Sequence, residues 1–289
     1  MKKKPLQKKA KKNYEKISPT AVIVAHFRTF SDIPFSKDIF EEIKRKKVGQ
    51  MDISYIPDSR AVLFEARHKI VDHLIKKAHF KQVLEISAGY SPRGLDMTSN
   101  PNFTYVETDL PAILSEKRKM AKKILTKHNF KRLNLRFVEA NALDREKVMK
   151  TMRYFSKDGI AVVSEGLVRY LNHAEKIKLA NNVKELLGKK GGIWIVPDIE
   201  VRQKLLNNPS YQNSTKKISK ETGTDIRRNM FSDVADAKKF FEKLGFMVAA
   251  HNLQEVEKKL YSPGKLHITA KETKERIGIL VPFVLKLKK

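Results

Sequence analysis

The segment LEISAGYSPRG, residues 84–94, combines an acidic residue with a turn of small residues. Glu85 lies within an apolar run, and Ser87, Ala88 and Gly89 follow at the expected carboxyl end of a strand. Small residues at this point let a nucleotide-like ligand approach the backbone closely. We therefore take these four residues as candidate cofactor-binding residues. The turn alone is a weak signal, because helix–strand packing also selects small residues.

Two further acids, Glu107 and Asp109, end the next apolar run, about one strand–helix unit downstream. A carboxylate at the end of the second strand can accept hydrogen bonds from both hydroxyls of a ribose. Together with the turn at Gly89, these acids predict an adenosine cofactor. Asp109 has a second interpretation, as the cap of a helix that Pro111 opens.

The spacing of the glycines indicates which adenosine-containing cofactor the chain binds. The dinucleotide pattern G-x-G-x-x-G is absent, since only Gly89 and Gly94 are present. The phosphate-binding pattern G-x-x-x-x-G-K-[ST] also fails, because Leu95 and Asp96 stand where it requires lysine and a hydroxyl. A ligand with a ribose but no phosphate fits better, which indicates S-adenosylmethionine.

The elements that must position these residues alternate between strands and helices from Gln82 onward. This alternation predicts an α/β fold with a parallel, doubly wound sheet and a ligand crevice at the carboxyl ends of its strands. Three amphipathic segments before the sheet predict a helical cap. The expected strands span residues 83–87, 103–108, 135–140, 160–166, 193–199, 246–250 and 278–285.

Five segments in combination resemble the leucine carboxyl methyltransferase-like family of S-adenosylmethionine-dependent O-methyltransferases, which includes bacterial enzymes of polyketide modification. The resemblance covers roughly residues 18–250. It implies the class I methyltransferase (Rossmann-like) fold, a seven-stranded sheet whose last strand is antiparallel. The segments are SPTAVIVAHFR, EARHKIVDHLI, VLEISAGYSPRG, VETDLPAILSEKRKM and SEGLVRYL.

The resemblance also implies roles for individual residues. Arg67 matches the arginine that pairs with the methionyl carboxylate, and Ser87, Ala88 and Gly89 match the turn that faces the methionine and ribose. Glu107 matches the ribose-binding acid.

Further matches lie after the third and fourth strands. Asn141 and Ala142 match the loop that contacts the adenine, where the family usually has an acid. Glu165 matches a glutamate that lines the cofactor and acceptor cavity, and Tyr170 follows in the same motif. The family's glycine turn continues into Asp-Thr-Arg, whereas this chain has Ser-Pro-Arg at residues 91–93.

Methyl transfer requires an oxygen nucleophile aligned with the methyl group and shielded from water. A carboxylate acceptor needs no general base. A hydroxyl acceptor needs one, and Glu165, Tyr170 or a histidine of the cap could serve. Glu165 and Tyr170 are therefore the candidate catalytic residues, and the choice between the two acceptor types stays open. No metal-binding spacing occurs among the histidines, so we expect no metal.

The amino-acid composition excludes several further classes of protein. The chain has 289 residues, no cysteine and a formal charge of +28. The lack of cysteine excludes thiol catalysis and thiolate metal sites. The longest apolar stretch, residues 277–285, is much shorter than the roughly 20 residues of a membrane span. Without a signal-peptide core at the N-terminus, we expect a cytoplasmic protein.

The positive charge is spread along the chain. Residues 1–16 contain eight lysines and one glutamate and predict a disordered basic tail. Residues 17–78 form the predicted cap, and residues 79–289 the methyltransferase domain, with insertions near 200–230 and 251–276. The first insertion is a surface excursion, a mobile loop or a lid over the crevice. The lysines predict at most weak, salt-sensitive binding to nucleic acid or anionic surfaces, and an anionic acceptor would suit them.

Three functions remain open from the sequence. The leading hypothesis is an O-methyltransferase acting on a carboxylate or hydroxyl of a small molecule or protein. The second is a nucleic-acid methyltransferase recruited by the tail, although Ser-Glu-Gly-Leu at residues 164–167 stands where an N-P-P-[YF]-like motif would be expected. The third is a non-catalytic module that binds S-adenosylmethionine. The acceptor and the oligomeric state are not predicted.

Overall fold

The computed structural model describes residues 19–46, 53–206 and 208–288. The basic tail predicted for residues 1–16 lies outside these residues.

The described residues form a seven-stranded sheet in the order β3-β2-β1-β4-β5-β7-β6. Strands β1 to β5 run parallel to one another, and β7 is antiparallel to both β5 and β6. This arrangement confirms the predicted class I methyltransferase fold. The strands are β1 Gln82–Ile86, β2 Thr104–Asp109, β3 Leu135–Glu139, β4 Ile160–Val163, β5 Gly192–Glu200, β6 Phe246–Ala250 and β7 Leu280–Leu287.

Helices cover both faces of the sheet and extend before it. Short 3₁₀ helices span Asp58–Arg60, Thr151–Tyr154, Val168–Tyr170 and Leu253–Lys259. The α-helices are α1 Thr20–Arg28, α2 Ser36–Lys46, α3 Ala61–Lys77, α4 Arg93–Met97, α5 Pro111–Lys127, α6 Arg145–Lys150, α7 His173–Lys190, α8 Arg202–Leu206, α9 Pro209–Thr222, α10 Ile226–Asn229, α11 Val234–Lys243, α12 Ser262–Lys265 and α13 Ala270–Ile277.

Two hydrophobic cores lie on opposite faces of the sheet, because successive side chains of a strand point to opposite sides. Val83 of β1 belongs to the core that contains α3 and α5. Its neighbour Leu84 belongs to the core that contains α7 and α11. On that second face Trp194 is fully buried, with its ring centroid 5.5 Å from that of Phe241.

The predicted helical cap is present as α1, α2 and α3. Helix α1 packs on α3, where the rings of Phe27 and Phe64 stack with their centroids 5.6 Å apart. This contact holds the C-terminal end of α1, including Arg28, above the sheet.

The region predicted as an insertion near residues 200–230 is largely helical. Helix α9 starts at the Asn-Pro pair of residues 208 and 209. The Asn208 side chain accepts a hydrogen bond from the Tyr211 backbone N–H, and Pro209 occupies the first turn. Helix α9 ends at Gly223, whose φ of +63° is left-handed. The helix is packed, since Ile218 is 8% exposed.

The second predicted insertion, near residues 251–276, is also helical and is tied to α3. The buried carboxylate of Glu65 accepts hydrogen bonds from the backbone N–H groups of Tyr261 and Ser262, both at 2.8 Å. Both insertions are therefore folded parts of the molecule.

Candidate active site

A cavity lies at the carboxyl ends of β1 to β4, beside the point where the strand order reverses between β1 and β4. It encloses about 1160 Å³ of empty space, including its open mouth. Helices α1 and α3 and Ile218 of α9 form the opposite wall. The predicted site residues that line it are Arg67, Glu85, Ser87, Ala88, Gly89, Asp109, Asn141, Ala142, Glu165 and Tyr170.

The turn after β1 approaches helix α1 closely. Strand β1 ends at Ile86 because Ser87 takes a left-handed φ of +56°, and Gly89 follows with φ of +52°. A Cβ added at Gly89 would lie 3.1 Å from Cβ of Ala21. Only glycine fits this position without strain. The turn thus exposes its backbone to the cavity.

Asp109 is held in place at the end of β2. Its Oδ2 accepts a hydrogen bond from the Gly89 N–H, and its Oδ1 accepts one from the Leu110 N–H, both at 2.7 Å. Burial raises the pKa of Asp109, and these two N–H groups oppose the rise. Asp109 does not cap helix α5, whose N-cap residue is Leu110. Its carboxylate instead faces the cavity beside the turn at Gly89.

Glu107, which the sequence assigned to the ribose, is placed elsewhere. It is fully buried, is not among the described residues that line the cavity, and pairs with Lys117 at 2.5 Å. A Cβ added at Gly94 would fall 2.3 Å from Glu107 Oε1, so the carboxylate lies beneath helix α4. Burial raises the pKa of Glu107 to about 7, against the opposing effect of Lys117.

The loop after β3 also reaches the cavity. Asn141 uses its side-chain oxygen to accept a hydrogen bond from the Leu143 N–H at 2.9 Å, which shapes the loop. The backbone carbonyl of Ala142 is fixed from below by the Asn182 side chain at 2.9 Å. The loop is therefore braced on both sides, and its two predicted residues line the cavity.

Three arginines surround the carboxylate of Glu165, whose side chain is 5% exposed. Strand β4 ends at Val163, three residues earlier than predicted, so Glu165 lies in the loop that follows. Its oxygens accept hydrogen bonds from Arg28 at 2.5 Å, Arg67 at 2.9 Å and Arg93 at 2.7 Å.

This environment determines the protonation state of Glu165. Burial alone would raise the pKa of Glu165, but the three guanidinium groups outweigh burial and lower it well below its ordinary value. A carboxylate in this state is a weak base. Glu165 is thus suited to hold the arginines in position and poorly suited to remove a proton.

Arg93 connects the cavity wall to the interior of the protein. It is fully buried and donates to Asp72 at 2.7 Å and to Glu85 at 2.5 Å, in addition to Glu165. Glu85 also accepts a hydrogen bond from Tyr105 at 2.9 Å. Both oxygens of Glu85 therefore have partners within the protein.

His68, a histidine of the cap, belongs to the same network. Its Nδ1 lies 3.0 Å from a guanidinium nitrogen of Arg93. Burial and the neighbouring charge of Arg93 lower the pKa of His68 well below its ordinary value. It is not among the described residues that line the cavity. A role as general base is therefore poorly supported for this histidine.

Asp198 on β5 completes the fixation of Arg67. Its Oδ2 lies 3.2 Å from Arg67 Nη1 and accepts a hydrogen bond from the Gly166 N–H at 2.6 Å. Burial raises the pKa of Asp198 to about 6, although Arg67 opposes the rise.

Tyr170 is 5% exposed, lines the cavity and follows Arg169, whose guanidinium lies 5.6 Å from the Tyr170 ring centroid.

Sequence reasoning did not single out Arg28, Asp198 or Ile218. Arg28 had one signal, since it is the basic residue at the end of the apolar helix segment TAVIVAHFR. Its partner Glu165 is 137 residues away in the chain. Asp198 lies where the register of β5 against β7 shifts between Val196 and Ile199, and Ile218 reaches the site through the packing of α9. Local sequence patterns specify neither.

Two further properties apply to the described residues alone. Within residues 19–46, 53–206 and 208–288, no three histidine or acidic side chains are grouped so that they could hold a metal ion. No helix in those same ranges is long and apolar enough to cross a membrane.

The sequence profile of leucine carboxyl methyltransferases matches residues 22–184, more than half of the chain. The chain belongs to the leucine carboxyl methyltransferase family. The matched region begins in α1 and ends in α7, and it includes the turn at Gly89, Asp109 and the arginine cluster. Membership makes this protein an S-adenosylmethionine-dependent methyltransferase and favours the leading hypothesis over the two alternatives.

Solved structures show the same fold at low sequence identity. The methyltransferase domain of bacterial CtHen1 is 15% identical, with a TM-score of 0.51 over 78% of this chain and 100% of that domain. An O-methyltransferase described as putative, from Nostoc punctiforme, is 14% identical, with a TM-score of 0.51 over 93% of this chain and 72% of its own. An S-adenosylmethionine-dependent methyltransferase from Anabaena variabilis is 14% identical, with a TM-score of 0.50 over 89% of this chain and 97% of its own. None of the curated proteins matches the chain in sequence.

The chemistry of the cavity wall fits this family cofactor. The methionyl part of S-adenosylmethionine carries a carboxylate, and its ribose carries two hydroxyls. The cavity offers buried guanidinium groups for the carboxylate, among them Arg28, whose Nε has no hydrogen-bond partner among the described atoms. It offers the Asp109 carboxylate for the hydroxyls.

Proposed function

We propose that the enzyme is an O-methyltransferase that methylates a carboxylate or hydroxyl of a small molecule or protein, with a carboxylate as the favoured acceptor. The observation that carries the proposal is the state of Glu165. Its carboxylate is held by three guanidinium groups at 2.5–2.9 Å, which makes it a weak base. A carboxylate acceptor is already anionic and requires no base.

We also propose how the cofactor lies in the cavity. The turn of Ser87, Ala88 and Gly89 would contact the methionine and ribose, and Asp109 would accept the ribose hydroxyls. The arginines on α1 and α3, Arg28 and Arg67, would face the methionyl carboxylate. Glu107 is left out of this assignment, because it lies beneath α4.

The adenine is assigned to the loop that contains Asn141 and Ala142. Glu85 would support the turn and not contact the cofactor, since one of its oxygens accepts a hydrogen bond from Arg93 and the other accepts one from Tyr105. The cytoplasmic location expected from the sequence stays a prediction.

The chemistry then depends mainly on alignment. When bound, S-adenosylmethionine supplies an electrophilic methyl group, whose bond to sulfur breaks, leaving the electron pair on sulfur, as the acceptor oxygen bonds to the methyl carbon. The chain's own part is to orient the acceptor and exclude water. Tyr170, in the 3₁₀ helix Val168–Tyr170, and Ile218, in α9, both line the cavity and would position the acceptor.

A labelling experiment tests the proposal. Purified protein is incubated with S-adenosylmethionine that carries a deuterated methyl group and with matched acids, alcohols and amines. We expect labelled methyl esters, which release labelled methanol in mild alkali. Base-stable methyl ethers would favour hydroxyl acceptors, and N-methyl products would contradict O-methylation.

A further inference from the structure

A second space, which we call the inner chamber, lies beside the cavity between α3, α9 and β5. It contains about 410 Å³ of empty space, including the part open to solvent. The residues that line both the cavity and the chamber are Ile23, Phe64, Arg67, Arg169 and Ile218. The chamber therefore adjoins the cofactor cavity, but the turn after β1 and the carboxyl ends of the parallel strands β1 to β4 do not line it.

On one side of the inner chamber, the positive charge of Arg169 is balanced by the carboxylate of Glu200. Arg169 Nε lies 3.2 Å from Glu200 Oε1, and the Tyr211 hydroxyl donates a hydrogen bond to the same carboxylate. Both side chains of this pair are nearly buried, at 12% and 6% exposure. Glu200 therefore balances the charge of Arg169.

Arg60 faces the same chamber without such a balance. Its guanidinium lies 4.6 Å from the Tyr211 ring centroid and 3.5 Å from the Ser214 hydroxyl. Within the part of the chain that the structure describes, it forms no ion pair with a carboxylate. Burial lowers the pKa of Arg60 most, and the nearby charges of Arg169 and Arg276 lower it further, while Tyr211 and the carboxylate of Glu200 oppose this fall.

We propose that the inner chamber is the acceptor subsite and that Arg60 anchors an anionic group of the acceptor. A partly buried guanidinium beside two other arginines and one carboxylate has a strong affinity for an anion. The flanking walls are apolar, formed by Ile56, Leu63 and Leu280. The acceptor class is thus an acid with an apolar body and an anionic end that enters the chamber.

The anchored group differs from the group that is methylated. Arg60 precedes Arg67 by seven residues along the 3₁₀ turn and α3, which separates their backbones by about 10 Å. Arg67 lies on the cofactor side, and Arg60 lies at the far end. A dicarboxylic acid is the substrate class that places one carboxylate at Arg60 and the other on the cofactor side. One carboxylate binds Arg60, and an oxygen of the other forms the new bond to the methyl carbon while the methyl–sulfur bond breaks with its electron pair on sulfur. No proton is transferred.

This inference rests on the proposed function, so the test separates the two. The probes are octanedioate and octanoate, which differ in one carboxylate. Turnover is measured with S-adenosylmethionine, and binding of octanedioate is measured by calorimetry on protein saturated with S-adenosylhomocysteine. The variants are Arg60→Gln and Arg60→Lys. The matched control is Arg153→Gln, which removes an exposed arginine stacked on Tyr154 at 4.8 Å.

We expect kcat/KM for octanedioate to exceed that for octanoate by about 10- to 100-fold, the range of a charge-assisted interaction. Arg60→Gln should remove this preference and weaken octanedioate binding by a similar factor. Arg60→Lys should be intermediate and Arg153→Gln unchanged, with S-adenosylhomocysteine affinity retained in all three.

Equal kcat/KM for the two acids, or undiminished octanedioate binding by Arg60→Gln, would overturn the anchor while leaving the proposed function intact. If the wild-type protein methylates neither acid and does not bind octanedioate, the diacid assignment is wrong. If the wild-type protein does not bind S-adenosylhomocysteine, the cofactor site itself is contradicted.

Discussion

The backbone N–H of Gly89 donates a hydrogen bond to Oδ2 of Asp109 at 2.7 Å. This bond joins the turn after β1 to the end of β2, the two elements on which an adenosine cofactor depends in this fold. The Asp109 carboxylate is therefore oriented by the protein before any ligand arrives.

Substitution of Gly89 should weaken cofactor binding. In Gly89→Ala the new Cβ meets Ala21 at 3.1 Å, and the backbone must keep a φ of +52°. We expect S-adenosylhomocysteine affinity to fall about 5- to 10-fold and stability to fall by roughly 1 kcal/mol. Calorimetry and thermal unfolding measure the two effects. Gly264→Ala is the control, because nothing lies within 4 Å of its added Cβ; equal effects at both positions would refute the argument.

Glu107 should make stability depend on pH. Its pKa is raised in the folded protein to about 7, above its ordinary value of 4.5. The folded state then binds the proton more tightly than the unfolded state, so stability falls as pH rises from about 4.5 to 7. Glu107→Gln should show a smaller fall over this range in urea unfolding. The exposed Glu146→Gln should behave like the wild type, and identical curves for all three proteins would show that Glu107 does not contribute.

The arginine cluster should show strong coupling. Glu165→Gln leaves three buried guanidinium groups with less compensation, which we expect to cost about 3–5 kcal/mol of stability. Arg28→Met should also destabilise, but the double variant should be more stable than the sum of the two losses predicts. Urea unfolding measures this cycle. The surface pair of Arg145 and Glu185 provides the control, and Arg145→Gln should change stability little. Additive losses at the cluster would contradict the coupling.

Tyr170 should not be essential as a base. Since a carboxylate acceptor has no proton to lose, Tyr170→Phe should reduce kcat by less than about tenfold, below the effect of removing a general base. With a carboxylate acceptor, the rate should stay nearly constant between pH 7 and 9. A rate that rises steadily with pH in the wild type and is lost in Tyr170→Phe would indicate that Tyr170 removes a proton from a hydroxyl.

The sheet and most of the cavity wall were predictable from the sequence because their signals are local. Short apolar runs separated by amphipathic helices indicate a doubly wound sheet. The left-handed turn at Ser87 and Gly89 is indicated by small residues. The cavity then forms where parallel strands of this order end.

Local signals did not predict which of the two acids, Glu107 or Asp109, reaches the cavity. Both residues lie on one face of β2, two positions apart, which separates them by roughly 6–7 Å along the strand. Strand β2 runs to Asp109, one residue beyond the predicted end, so Asp109 reaches the cavity and Glu107 stays beneath α4. Arg28 and Asp198 depend on contacts more than 100 residues apart, which no local pattern reports.

Titration calorimetry with S-adenosylhomocysteine tests the central claim most directly, because it needs no knowledge of the acceptor. The wild-type protein should bind one molecule per chain. Asp109→Ala should lose at least about tenfold in affinity, consistent with the loss of a charged hydrogen-bond acceptor. Glu107→Gln should stay within about twofold of the wild type, because its side chain lies outside the cavity. No binding by the wild type, or the reverse order of the two variants, would contradict the account.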